Sequence, residues 1–92
     1  MEKPKILKVK GRDKYVMPKN GHDFDLWELQ EIVGGYVEFI PLTEHRVMIV
    51  DEDGKVKGKP VNAKATKLLE KSLIKLDVIV GDALVCEHYY VC

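Results

Sequence analysis

The sequence predicts an α+β fold: a small, mostly antiparallel sheet of about five strands with two short helices on one face. Three observations carry this expectation. Leu26–Val33 repeats apolar residues at helical spacing, stops on Gly34-Gly35 and runs straight into the alternating stretch Tyr36-Val37-Glu38-Phe39-Ile40. Ala65, Leu68, Leu69, Ser72 and Leu73 follow the i, i+3, i+4, i+7, i+8 pattern of a second helix with one buried side. The remaining apolar runs are short and bounded by Gly, Pro, Asn and Asp, as strands are.

Residues 5–10 mix apolar and basic positions and read as the first strand. Gly11-Arg12-Asp13 is a turn signal, Lys14–Met17 a second strand ended by Pro18, and residues 19–21 a loop. Asp25 caps the first helix, and Glu28, three residues on, completes a capping box. Phe24 and Leu29 are spaced for a hydrophobic staple, and Leu26, Leu29, Ile32 and Val33 form the apolar face. Gly34 is the expected left-handed stop. Tyr36–Ile40 and Arg46–Val50 are strands joined by a turn over residues 41–45. Asp53-Gly54 is a hairpin signal, so Val56 is expected to continue a returning strand and complete a three-stranded meander. Pro60 closes that segment and Asn62 caps the second helix. Asp77–Val80 reads as a buried strand, Gly81-Asp82 as a bulge or bend, and Ala83–Cys86 as a resumed strand.

The 92 residues make one domain, 1–92, with an N-terminal hairpin over 1–22, a core over 23–86 and a tail over 87–92. A hydrophobic fraction of 46% and a charged fraction of 33% fit a globular chain. No apolar run approaches the roughly 20 residues of a membrane span. The N-terminus lacks the apolar stretch of a signal peptide. With two cysteines, Cys86 and Cys92, a reduced cytoplasmic setting is the expectation. Net charge is zero but uneven: +5 over residues 1–20, −8 over 21–53 and +3 over 54–92. A nucleic-acid binder shows one dominant basic face, so nucleic acid is not the expected partner.

Candidate chemistry is sparse, and each candidate has a bland account. Cys86, His88 and Cys92 lie close in sequence, but their spacing is not that of a structural zinc site, and a fourth ligand would have to come from His22 or His45. A Cys86–His88 nucleophile pair lacks a third group and an oxyanion hole. Asp23, Asp25, Glu28 and Glu31 could hold a cation, but capping accounts for Asp25 and Glu28. Asp51, Glu52 and Asp53 are likewise explained by a hairpin. Gly34-Gly35 follows a helix rather than preceding one, the wrong polarity for a phosphate loop. No cofactor and no metal is therefore expected, and no enzyme. Gln30, Arg46, Lys59 and Asn62 are the candidate ligand contacts. Tyr36, Tyr89 and Tyr90, with Trp27, are the candidate recognition aromatics. The apolar, aromatic stretch from Ala83 to Val91 suggests a homodimer through Tyr89, Tyr90 and Val91, or else a central strand of the monomer.

Three ordered motifs carry a resemblance: Leu29–Glu38 with its Gly34-Gly35 junction, Asp51–Lys55 followed by Gly58, Pro60 and Asn62, and Asp77–Gly81 before Ala83-Leu84-Val85. Over residues 26–86 the chain resembles the domain of unknown function 3846, a family of bacteria, phages and mobile elements; residues after Cys86 depart from that pattern. The resemblance implies a fold and a genomic setting, not an activity. The expectation is thus a non-catalytic accessory protein acting on a host protein in counter-defence or host takeover. The alternative is a binder that sequesters a small molecule such as a nucleotide signal.

Overall fold

A computed structural model describes residues 3–91. The order is β1 (Lys5–Leu7), β2 (Lys14–Tyr15), α1 (Leu26–Val33), β3 (Val37–Pro41), β4 (Arg46–Asp51), α2 (Ala63–Lys67) and β5 (Ala83–Glu87), with 3-10 turns over Leu68–Lys71 and His88–Val91. The five strands form one sheet in the order β2-β1-β5-β4-β3, and every neighbouring pair is antiparallel. The α+β class, the strand number and the two short helices are as the sequence predicts.

Helix α1 forms as its residues dictate. The Asp25 carboxylate accepts the Glu28 N–H at 2.8 Å, and the Glu28 carboxylate accepts the Asp25 N–H at 3.1 Å. The second Glu28 oxygen accepts the Lys19 N–H at 2.9 Å, which ties the preceding loop to the cap. At the far end Gly34 sits at φ 80°, and the Gly34 and Gly35 N–H groups both reach the Gln30 carbonyl. A Cβ on Gly34 would also come within 3.1 Å of the Lys59 ammonium. Gly34→Ala is therefore expected to cost on the order of 1 kcal/mol. An unchanged melting temperature would show that the stop does not need a left-handed residue.

The helices do not share a face. On β4, Val47 and Ile49 point into one apolar cluster with Leu29 and Val33 of α1, whereas Met48 and Val50 point into another with Ala65 of α2. Successive strand residues face opposite ways. Both clusters draw on β5 as well, through Leu84 and Cys86 on the α1 side and Ala83 and Val85 on the α2 side. The unbroken apolar runs in β4 and β5 are what a strand covered on both faces requires.

Four expected elements differ. Val56 is 89% exposed and in no strand, so the meander has two strands, not three. The β4 edge it would have used is taken by β5. Residues 77–80 form no strand but meet the chain at a single bridge, Val61–Val80. Ile79 is held there by the Asn62 N–H and the Thr66 hydroxyl. Helix α2 stops at Lys67, leaving Leu73 two-thirds exposed, because residues 71–73 turn to bond the β3–β4 connection. Leu26 lies outside the apolar face of α1 and is 56% exposed.

Candidate functional site

The residues singled out from sequence do not converge on one place. Asn62 is 1% exposed: its amide donates to the Leu7 and Gly81 carbonyls at 2.8 and 2.9 Å, and its oxygen accepts the Ala65 N–H at 3.0 Å. Every polar atom of the side chain is used, so Asn62 pins β1, α2 and the approach to β5 and offers nothing to a ligand. Lys59 is likewise structural. Its ammonium bridges the Val33 carbonyl and the Asp51 carboxylate, each at 2.7 Å. Gln30 contributes its carbonyl to the end of α1. Tyr36 is exposed at the start of β3, where its carbonyl accepts the Glu52 N–H. Tyr90 packs on Phe24 and the α1-side cluster together with Val91, so both are spent within the chain. Tyr89 is 44% exposed and stacks on Tyr90 with centroids 4.5 Å apart.

Lys59 belongs to a clamp that explains the glycine and aspartate pattern. The Asp51 carboxylate is almost fully buried and meets Lys57 at 2.8 Å, Lys59 at 2.7 Å and the Asp53 N–H at 2.9 Å. Lys57 also donates to the Gly34 carbonyl. Helix α1 has no base in its own last turn, and these two lysines supply the positive charge its C-terminus favours. A Cβ on Gly35 would lie 2.5 Å from the Lys57 ammonium and 2.7 Å from Asp51, and one on Gly54 would strike Val80 at 2.8 Å. The lysines drag residues 52–60 across to α1, which is why the segment does not return as a strand. The Pro60 carbonyl then accepts the Gly81 N–H.

Burial alone would raise the Asp51 carboxyl, but the bonds from Lys57 and Lys59 outweigh it and hold it at about 2. A depressed carboxyl stabilises the fold at and above the ordinary carboxylate range and loses that contribution as pH falls through its folded value. Wild type is thus expected to lose stability progressively between about pH 4 and pH 2. Urea midpoints across that window that match those of Asp51→Asn would remove the clamp from the explanation.

Cys86 faces the α1-side cluster and is 3% exposed. Burial, helped by the neighbouring Glu87 charge, pushes its thiol up to about 12, far from a reactive thiolate. His88 leaves the strand in the C-terminal 3-10 turn, so it does not continue the β5 alternation that would set it on the face of Cys86. Cys92 lies outside the described residues. Among the described residues, no three His, Cys, Asp or Glu side chains are grouped to hold a metal. No helix among them is long and apolar enough to cross a membrane.

Among the described residues, the ligand candidate Arg46 lines a cavity. The groove has a volume of about 690 Å³ and lies on the α2 side of the sheet, in the size range of ligand sites. Leu7, Val85 and Leu68 provide apolar lining. Lys3, Lys5 and Lys64 join Arg46 as cations, with Asp13 and Glu87 opposing them and Tyr15 forming a wall. The β-pairing explains the convergence. Lys5 stands opposite Tyr15 and also opposite Val85, and Arg46 stands opposite Glu87. Asp13 accepts the Lys8 N–H at 3.0 Å and the Lys64 ammonium. The Lys64 bond, and then the Lys8 bond, hold its carboxyl below the usual range. Sequence reading missed this group because its members are scattered along the chain. The available signal was the alternation of Lys5 and Leu7 on one strand face.

The sequence profile described as Domain of unknown function (DUF3846) matches residues 4–90. No curated protein and no solved structure matches the chain. The matched span starts in the residue before β1 and runs into the C-terminal 3-10 turn, so it takes in the N-terminal hairpin and most of the tail as well as the motifs around Gly34, Asp51 and Gly81. The chain is a member of the DUF3846 family over almost its whole length.

Proposed function

We propose that this is a non-catalytic binding protein, an accessory protein of phage or mobile-element type, whose groove beside α2 takes a small anionic molecule. The observation that carries the reading is the convergence of Lys3, Lys5, Arg46 and Lys64 on one apolar-floored cavity. Specific small-molecule sites combine apolar lining with a few directed polar groups in this way. Cys86 is buried and its thiol is pushed up to about 12, so it offers no thiolate nucleophile. In the cytoplasm such a protein would act by holding its ligand away from other receptors.

A ligand that binds only the folded state raises its stability. A panel of phosphates, nucleotides and di- and tricarboxylates is therefore expected to contain at least one anion that raises the melting temperature of wild type and not of Lys5→Glu. Absence of any shift at millimolar concentration would overturn the reading.

A second reading, docking to a host protein or a second copy, draws on the exposed Trp27 and Leu26 in the first turn of α1 and on the open edge of β3. Any such interface would use those surfaces or Tyr89 rather than Tyr90 and Val91. Sedimentation as a monomer at high micromolar concentration would exclude the homodimer.

A further inference from the structure

We infer that the free edge of β3 binds an extended strand of another protein that carries a lysine or arginine between two apolar residues; this rests on the docking reading above and names the partner's chemistry. The register of β3 on β4 identifies the free groups. The Tyr36 carbonyl accepts the Glu52 N–H, and the Leu42 N–H donates to the Arg46 carbonyl. Tyr36, Glu38, Ile40 and Leu42 therefore turn their main chain inward, to β4. Val37 and Phe39 turn both N–H and C=O outward, and among the described residues no main-chain group meets them there. Pro41 has no N–H, and its carbonyl accepts the Leu73 N–H, which closes the edge at that end. The opposite edge of the sheet, β2, is only 2 residues long, whereas β3 has 5 and can template an added strand.

Charge selects the occupant. Glu38 lies on the α2 side with Ile40 and Val50, half-buried, and joins no ion pair among the described residues. Around it Lys55 is bonded to Asp77, and Asp51 to Lys57 and Lys59. Taken with Glu38 and Glu52, these groups sum to one negative charge. A second copy fits badly. In a two-fold antiparallel pair that uses all the free groups, Val37 of each copy meets Phe39 of the other, and the two Glu38 carboxylates stand directly opposite. Like charges so placed destabilise the pair, whereas a lysine or arginine opposite Glu38 stabilises it. The residues flanking that cation fall opposite Val37 and Phe39 and face the α1 side. There Phe39 is 45% exposed and, with Pro41, Val47, His88 and Val91, lines a groove of about 390 Å³. Apolar side chains on the incoming strand would cover it. An edge guarded only against pairing needs Glu38 but not an uncovered apolar groove beside it.

The probes are two cyclic β-hairpin peptides whose open strand reads Thr-Val-Lys-Val-Thr or Thr-Val-Glu-Val-Thr, titrated into the isotope-labelled whole chain and followed by nuclear magnetic resonance. The lysine hairpin is expected to bind about fivefold tighter, the swing from a favourable to an unfavourable cross-strand pair. Its binding should slow hydrogen exchange at the Val37 and Phe39 N–H groups and weaken as salt rises. Glu38→Lys should reverse the preference, with an unchanged circular dichroism spectrum. The comparison of the two hairpins on wild type decides the matter even where that variant does not fold. Equal affinity for both hairpins, or a folded Glu38→Lys with the preference unchanged, would overturn the basic partner while leaving the edge as a docking surface. Binding of neither hairpin at millimolar concentration, or a wild-type dimer that protects Val37 and Phe39, would overturn the inference outright. Docking through Trp27 and Leu26, and the anion groove, would stand in either case.

Discussion

Asn62→Ala is expected to destabilise the protein by about 3–5 kcal/mol, as much as truncating a fully buried apolar side chain. The amide is completely enclosed and bonded three times, to Leu7, Gly81 and Ala65. Its removal strands two carbonyls and one N–H, each costing about 1–3 kcal/mol where water cannot reach, and deletes a helix cap as well. Water entering the space left behind would recover part of this. Domains are commonly stable by only about 5–15 kcal/mol, so the variant should be largely unfolded well below the wild-type melting temperature. Asn62→Asp keeps the cap but aims a carboxylate at two carbonyl oxygens, so it should be no better. Urea unfolding checks both, and a loss under about 1 kcal/mol for Asn62→Ala would mean the three segments are held together by other contacts.

Asp51→Ala should follow, with a loss on the order of 2–3 kcal/mol. Removing one partner from a buried ion pair costs about 3–5 kcal/mol. Lys57 and Lys59 are partly exposed and keep their bonds to the end of α1, which reduces the penalty. Gly35→Ala approaches the same cluster from the other side: its Cβ would occupy the space of the Lys57 ammonium and the Asp51 carboxylate, so it should also destabilise. If Asp51→Ala unfolds at the wild-type urea concentration at pH 7, the lysines are held by α1 alone.

Local signals in the sequence are legible where the residues act on their near neighbours. The Asp25–Glu28 box, the Gly34 stop and the Asn62 cap depend on groups within a few positions, and each is present. Structure departs from local signal where distant groups compete. Asp53-Gly54 has hairpin chemistry, but Asp51 and the carbonyls ending α1 capture Lys57 and Lys59 and override it. Asp77–Val80 has strand composition, yet its backbone is claimed by Asn62 and Thr66. Lys59 and Asn62 looked like ligand contacts because polar residues beside glycine and proline suit a site, and nothing local reveals that their atoms are already bonded. The groove was invisible for the opposite reason. Lys5, Tyr15, Arg46 and Lys64 carry no motif and become neighbours only through the sheet register and the placement of α2.

The position of β5 has a consequence for how the protein is made. The strand at the centre of the sheet is the last of the five to leave the ribosome. Until residues 83–87 emerge, β1 with β2 and β3 with β4 are two separate hairpins, each with an unsatisfied edge and neither able to shield the apolar side chains beneath α1 and α2. Isolated hairpins of this size are marginal in water. The nascent chain should therefore remain open through most of synthesis and close in one late step, with pairings that span most of its length. Such long-range closure slows folding relative to a helical domain of equal size. It also exposes hydrophobic edges to aggregation in the interval before closure.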